Sequence, residues 1–177
     1  MKTSIKILFI ATLLCIIMPL GYAANRENTA YIAPSVGYYH FSDKRDLDDD
    51  ALWLLAGGFN FTSDWSVEAA YARIKTQSDT EPKPNVDINM YLFDLLYHFN
   101  SDQNFEPYVL AGFGVLNIDD STSNDPNDLV NGNVGVGLEY FFDRSVALRV
   151  DIRDLYTFSG GKNDLMATLG VRILFPF

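Results

Sequence analysis

The chain is 177 residues long and carries 13 Lys and Arg against 23 Asp and Glu, a formal charge of −10, with one cysteine. A negative surplus of this size excludes nucleic acid as a partner, because affinity for a phosphate backbone comes from Lys and Arg. A single cysteine excludes a disulfide framework within the chain, and the length suits one domain able to order without one.

At the start, Lys2 and Lys6 precede an apolar run from Ile7 to Leu20, and Gly21 and Ala23 supply small residues before a cut after Ala23. Residues 1–23 are therefore predicted to be a cleaved secretory signal peptide. The apolar run falls short of the about 20 residues that a helical span requires and carries Pro19 near its end. Cys15 lies inside it, preceded by Thr12, Leu13 and Leu14, so the small residue of a lipoprotein cleavage site is missing. Removing Lys2 and Lys6 leaves 11 basic against 23 acidic residues, a formal −12 for the barrel-forming domain expected over 24–177.

Beyond this point the side chains alternate with a period of two, which places successive residues on opposite faces of a strand. Eight strands are predicted, at 30–41, 51–61, 65–75, 87–99, 105–117, 130–142, 146–158 and 164–177. Each reaches the roughly 9 to 11 residues of a tilted membrane-crossing strand. No helical period is sustained anywhere after Ala24.

The connections alternate in length. Tight polar turns at 62–64, 100–104 and 143–145 alternate with acidic segments at 42–50, 76–87 and 119–128 and a shorter link at 159–163. Short turns on one side and longer loops on the other are the periplasmic and external ends of an outer-membrane barrel. Register follows from the tight turns, since residues directly opposite each other share a face. The first turn sets Phe59 against Val67 and Glu68 against Gly58. The second sets Phe99 against Phe105, Leu95 against Val109 and His98 against Glu106, so His98 is read as a packed, Glu106-paired interior residue rather than a ligand. The third sets Tyr140 against Leu148, Leu138 against Val150 and Glu139 against Arg149. Phe61, Trp65, Phe99, Phe105, Phe142, Phe175 and Phe177 gather where strands meet turns, the position of an interfacial aromatic girdle.

Periodicity by itself does not name the solvent, because a soluble ligand-binding barrel alternates with reversed phase. The composition of the polar face decides between them. It carries Gly37, Gly58, Ala70, Gly112, Gly114, Gly135, Gly137 and Gly170 with Glu68, Asp94, Glu139, Arg149, Asp151, Arg153 and Arg172, and almost no Lys. A cramped interior needs small residues around a few ion pairs, whereas a water-facing surface is dense in Lys and Glu. The predicted fold is an all-β, eight-stranded antiparallel up-and-down transmembrane barrel, its apolar wall towards lipid. Interior charges must be paired, since they lie in low dielectric.

The last strand completes the pattern: Leu165, Ala167, Leu169, Val171, Ile173, Phe175 and Phe177 fall on one face, and Met166, Thr168, Gly170, Arg172 and Pro176 on the other. Together with YIAPSVGYYHF (Tyr31 to Phe41), PYVLAGFGV (Pro107 to Val115) and NVGVGLEYFFDRSVALRVDIRD (Asn133 to Asp154), the terminal LGVRILFPF resembles the OmpA-like outer-membrane barrel family. The resemblance implies insertion by the outer-membrane assembly machinery, which reads a terminal strand ending in Phe, a role falling to Val171, Ile173, Phe175 and Phe177. It implies inward Glu and Arg pairs, carried by Glu68, Glu139, Arg149, Arg153 and Arg172. The sequence stops at Phe177, so the peptidoglycan-binding domain of longer relatives is not expected.

Three function classes remain in view. A structural or surface-contact protein of the bacterial outer membrane is favoured, a monomer in lipid whose segments 42–50, 76–87 and 119–128 carry any external partner recognition. A narrow, porin-like channel is the alternative, although eight strands enclose a space that side chains largely fill. A lipid-modifying enzyme is the third class, hinted at only by His40-Phe41-Ser42, where a His near a Ser lacks an acidic orienter. No catalytic constellation, cofactor motif or metal-ligand spacing appears elsewhere, so neither cofactor nor metal is expected.

Overall fold

Alternation becomes pairing in the computed structural model, which describes residues 26–42, 50–77, 85–99, 101, 103–120, 127–159 and 161–176. The strands are β1 (Thr29–His40), β2 (Asp50–Asn60), β3 (Trp65–Gln77), β4 (Asn85–His98), β5 (Phe105–Asp120), β6 (Asn127–Phe141), β7 (Val146–Thr157) and β8 (Lys162–Pro176). Each pairs antiparallel with its neighbours, and β1 closes on β8 from Thr29 opposite Pro176 to His40 opposite Leu165. Closure leaves no strand edge unpaired, the condition for β-structure in hydrocarbon. The expected signal peptide and cut after Ala23, the middles of the three acidic segments, and Phe177 lie outside the described residues.

The two faces separate as the alternation requires. Val36, Phe113 and Val136 are 63%, 61% and 60% exposed on the outer wall, joined by Tyr91, Phe93, Val134, Val150, Ile152 and Leu169. Charged Glu68, Asp94, Glu139, Arg149, Asp151, Arg153 and Arg172 are all buried inside. A soluble barrel would invert this arrangement, so the outer wall is the lipid-facing surface. Phe61, Trp65, Phe99, Phe105 and Phe175 are exposed around the short-turn end, with Trp65 against Tyr97 and Tyr97 against Phe99 at ring separations of 4.8 and 4.9 Å. Within the terminal strand, Val171 and Phe175 are exposed on the outer wall and Ile173 is half-buried.

Two of the three tight turns hold the predicted register: Phe59 opposite Val67 with Gly58 opposite Glu68, and Tyr140 opposite Leu148 with Glu139 opposite Arg149. The turn between β4 and β5 does not. Leu95 faces Ala111, Tyr97 faces Val109 and His98 faces Tyr108, a slip of two residues from the expected pairing. The cause lies outside both strands. The Arg26 guanidinium enters this turn, donating to the carbonyls of Ser101 and Gln103 at 3.1 and 3.0 Å. Phe99 N–H bonds the Pro107 carbonyl at 2.8 Å, and the first residues of β5 pair only with β6. Because the slip is even, every side chain keeps its predicted face.

Candidate functional site

The barrel interior has two tiers. Towards the longer loops it is apolar: Tyr39, Phe41, Leu52, Leu54, Ile74, Ile88, Met90, Leu116, Leu155 and Met166 are buried there. Asp164 ties this tier together, accepting from the Tyr39 hydroxyl at 3.1 Å and the Ser42 amide at 2.9 Å. His40 points outward and is exposed while Phe41 is buried, and Ser42 meets Asp164 through its backbone amide.

Towards the short turns the interior is a lattice of arginines and carboxylates. Arg149 makes a bidentate pair with Glu68 at 2.5 and 3.1 Å and also donates from Nε to the Tyr108 hydroxyl at 2.8 Å and Asp151 at 3.2 Å. Arg153 bridges Asp94, Asp151 and Glu68 at 2.5, 2.8 and 3.2 Å. Asn133 donates to the second oxygen of Asp94 at 2.9 Å. Arg172 pairs with Glu139 and donates to the Asn60 side-chain carbonyl, both at 2.5 Å, with its guanidinium 3.7 Å above the Tyr31 ring. Every arginine thus meets at least one anion in planar, directional bonds, the condition under which buried charge is tolerated.

All seven predicted interior residues therefore gather in one network, but the partners differ from those that register alone assigns. Glu139 stands opposite Arg149 on the neighbouring strand, yet its Oε1 is 3.9 Å from Arg149 Nε, and its close cation is Arg172. The long arginine side chains reach across the lumen to β3 and β4, so Glu68 and Asp94 become their counter-ions.

Two tyrosines brace the lattice. Tyr31 lies over Gly58 and donates to Glu68 at 2.9 Å; Tyr108 lies over Gly137 and donates to Asp151 at 3.0 Å. A Cβ at either glycine would fall inside the ring, so only glycine lets these aromatics lie flat across the neighbouring strand.

At the short-turn mouth, Arg26 pairs with Glu106, stacks on Phe141 with its guanidinium 3.4 Å from the ring centroid, and fills the turn described above. His98 lies beneath it, with Nδ1 3.0 Å from Glu106 Oε1 and Nε2 2.9 Å from Ser66 Oγ. The expected contact between His98 and Glu106 thus exists, although diagonally rather than directly across the ladder. Strand periodicity does not by itself mark Arg26, Tyr31 or Tyr108 as site residues. Arg26 lies just before the first strand, where no periodicity marks it. For the tyrosines a signal existed: each is followed across successive strands by a glycine and then a carboxylate.

Similarity to known proteins agrees with this architecture. The family model described as "Outer membrane protein beta-barrel domain" matches residues 7–173. Among curated proteins, Outer membrane porin F of Pseudomonas aeruginosa is 26% identical over 158 residues, covering 84% of this chain but 45% of the relative. The chain thus spans less than half the length of that relative. Among solved structures, the N-terminal β-barrel domain of Pseudomonas aeruginosa OprF is 25% identical with a TM-score of 0.63, over 84% of this chain and 98% of that one. Pseudomonas aeruginosa OprG, 12% identical, has a TM-score of 0.69 over 88% and 100% of the two chains. Neisserial surface protein A, 16% identical, has a TM-score of 0.67 over 83% and 97%. The last two establish likeness of fold. These relatives are barrel proteins rather than enzymes.

Proposed function

Given that this chain belongs to the outer membrane protein beta-barrel domain family, we propose that it is a sealed structural barrel of the outer membrane that holds its acidic segments, 42–50, 76–87 and 119–128, outward for surface contact. The observation that carries this reading is the state of the lumen. Side chains lining a water-filled channel expose area to water, whereas Met90 and Ile88 in the apolar tier and Glu139 in the charged tier are all 0% exposed. Side chains that expose no area to water give a hydrated ion no continuous path through the lumen.

In this reading residues 1–23 are removed on export, Val171, Ile173, Phe175 and Phe177 present the strand that the assembly machinery reads, and the mature chain resides in lipid as a monomer. The name of the relative, porin F, favours a second reading as a narrow channel, with the charged tier as its constriction. Planar-bilayer recording on the refolded mature chain separates the two. A silent bilayer is expected, and reproducible conductance steps would replace the structural reading with the channel one.

A further inference from the structure

Three side chains in the short-turn tier converge without satisfying one another. His98, Glu106 and Glu139 are buried, and one donor atom from each lies within 4.8 Å of the others. Glu106 and Glu139 stand opposite each other on β5 and β6, and His98 comes from β4, opposite Tyr108. Two like-charged carboxylates directly across a ladder repel and require a cation between or beside them.

The surrounding arginines supply part of that charge, and in a particular way. Arg26 holds Oε2 of Glu106 and Arg172 holds Oε2 of Glu139, which leaves Oε1 of each turned elsewhere. Glu139 Oε1 has no hydrogen-bond partner, and Arg149 Nε stands 3.9 Å from it. His98 Nδ1 has none either: Glu106 Oε1 is 3.0 Å away but out of line with the ring nitrogen. A hydrogen bond needs its acceptor along the N–H direction. Two ligands of one ion do not face each other: donors about 2.1 Å from a shared tetrahedral dication lie about 3.4 Å apart and off each other's axes.

Other features of the cluster match a metal site. His98 Nε2 is tied to Ser66 Oγ at 2.9 Å, the anchoring of the second ring nitrogen that a ligating imidazole ordinarily has. Each carboxylate is held from behind by a guanidinium. Among the described residues the lattice also has negative charge to spare, with Glu68, Asp94, Glu106, Glu139 and Asp151 buried beside the four arginines Arg26, Arg149, Arg153 and Arg172. We propose that His98 Nδ1, Glu106 Oε1 and Glu139 Oε1 form a binding site for a small first-row dication of the zinc class, at the short-turn mouth of the barrel beneath Arg26. One imidazole with two carboxylates is a borderline donor set suited to zinc, nickel and cobalt, and three protein ligands leave a fourth position for water.

The test uses the mature chain refolded in detergent after chelation, with Zn2+ or Co2+ alone offered both during refolding and after it. Expected are a rise in the thermal unfolding midpoint with either ion and a visible Co2+ absorption band. Both should be lost in His98→Ala and Glu139→Gln, and both retained in His40→Ala, which removes the other histidine at the opposite end. Ser66→Ala, acting through the imidazole, should weaken the ion by about 10- to 100-fold. If His98→Ala fails to refold, His98→Gln serves in its place. Absence of the band under both conditions, or its persistence in the His98 variants, overturns the site. A metal-free barrel whose unfolding midpoint responds to neither ion overturns it equally.

Discussion

Tyr31 on β1 and Tyr108 on β5 occupy equivalent places on opposite walls of the barrel. Each ring covers the glycine paired with it on the next strand, Gly58 or Gly137, and each hydroxyl donates to the carboxylate paired with that glycine one strand further, Glu68 or Asp151. A guanidinium lies over each ring as well, Arg172 above Tyr31 and Arg149 above Tyr108. The two assemblies are joined because Arg149 contacts both Glu68 and Asp151. The interior is thus one connected object, and its members are expected to respond to substitution as a group.

Gly58→Ala is expected to destabilise the barrel by about 1–3 kcal/mol, the usual cost of forcing atoms into a filled interior. Gly57→Ala is the control. It lies one residue away on the outer wall, where an added Cβ meets only the Tyr31 carbonyl at 3.9 Å, and should leave stability unchanged. Thermal unfolding of the two variants in the same detergent makes the comparison.

Arg149→Ala removes the cation common to Glu68 and Asp151 and should cost about 3–5 kcal/mol, because its partners stay buried without it. Heat-induced unfolding in detergent reads the loss. An unshifted midpoint would mean that the lattice contributes nothing to stability.

Val136→Arg tests which side faces lipid. Val136 lies midway along β6 and is 60% exposed on the outer wall. A cation there should cost about 2–4 kcal/mol in a bilayer. Equilibrium unfolding from lipid vesicles measures this, and a neutral result would place the outer wall in water.

Arg26→Ala should loosen the mouth more than the wall. Losing charge-assisted bonds to Glu106, Ser101 and Gln103 is expected to cost about 1–3 kcal/mol. Hydrogen exchange should speed up at the Phe99 and Phe141 amides, which bond to Pro107 and Asn104 beside Arg26. Amides in the middle of β7 and β8 should keep their protection.

The parts of this fold legible in sequence are those governed by local spacing. A period of two assigns Leu169 outward and Arg172 inward without reference to any other strand, and a tight turn such as 143–145 fixes Glu139 opposite Arg149. The turn after His98 could not be read that way, because what holds it open is a side chain from a segment some 75 residues earlier in the chain. The choice of ion partners was hidden for a related reason. Adjacency on the ladder pairs Arg149 with Glu139, but a flexible side chain in a closed cylinder reaches the opposite wall, and the distances across a lumen are set by curvature rather than sequence. His98, Glu106 and Glu139 come from three strands and show no ligand spacing for the same reason.

Every member of the charged lattice, from Arg26 through Tyr31, Glu68, Asp94, Glu106, Tyr108, Glu139, Arg149, Asp151 and Arg153 to Arg172, belongs to a strand or to the short-turn mouth. None of these residues falls within 43–49, 78–84 or 121–126 of the sequence. Lineages can therefore rewrite those segments, in length or in chemistry, while inheriting the barrel unaltered, and foreign peptides grafted there should leave its folding intact.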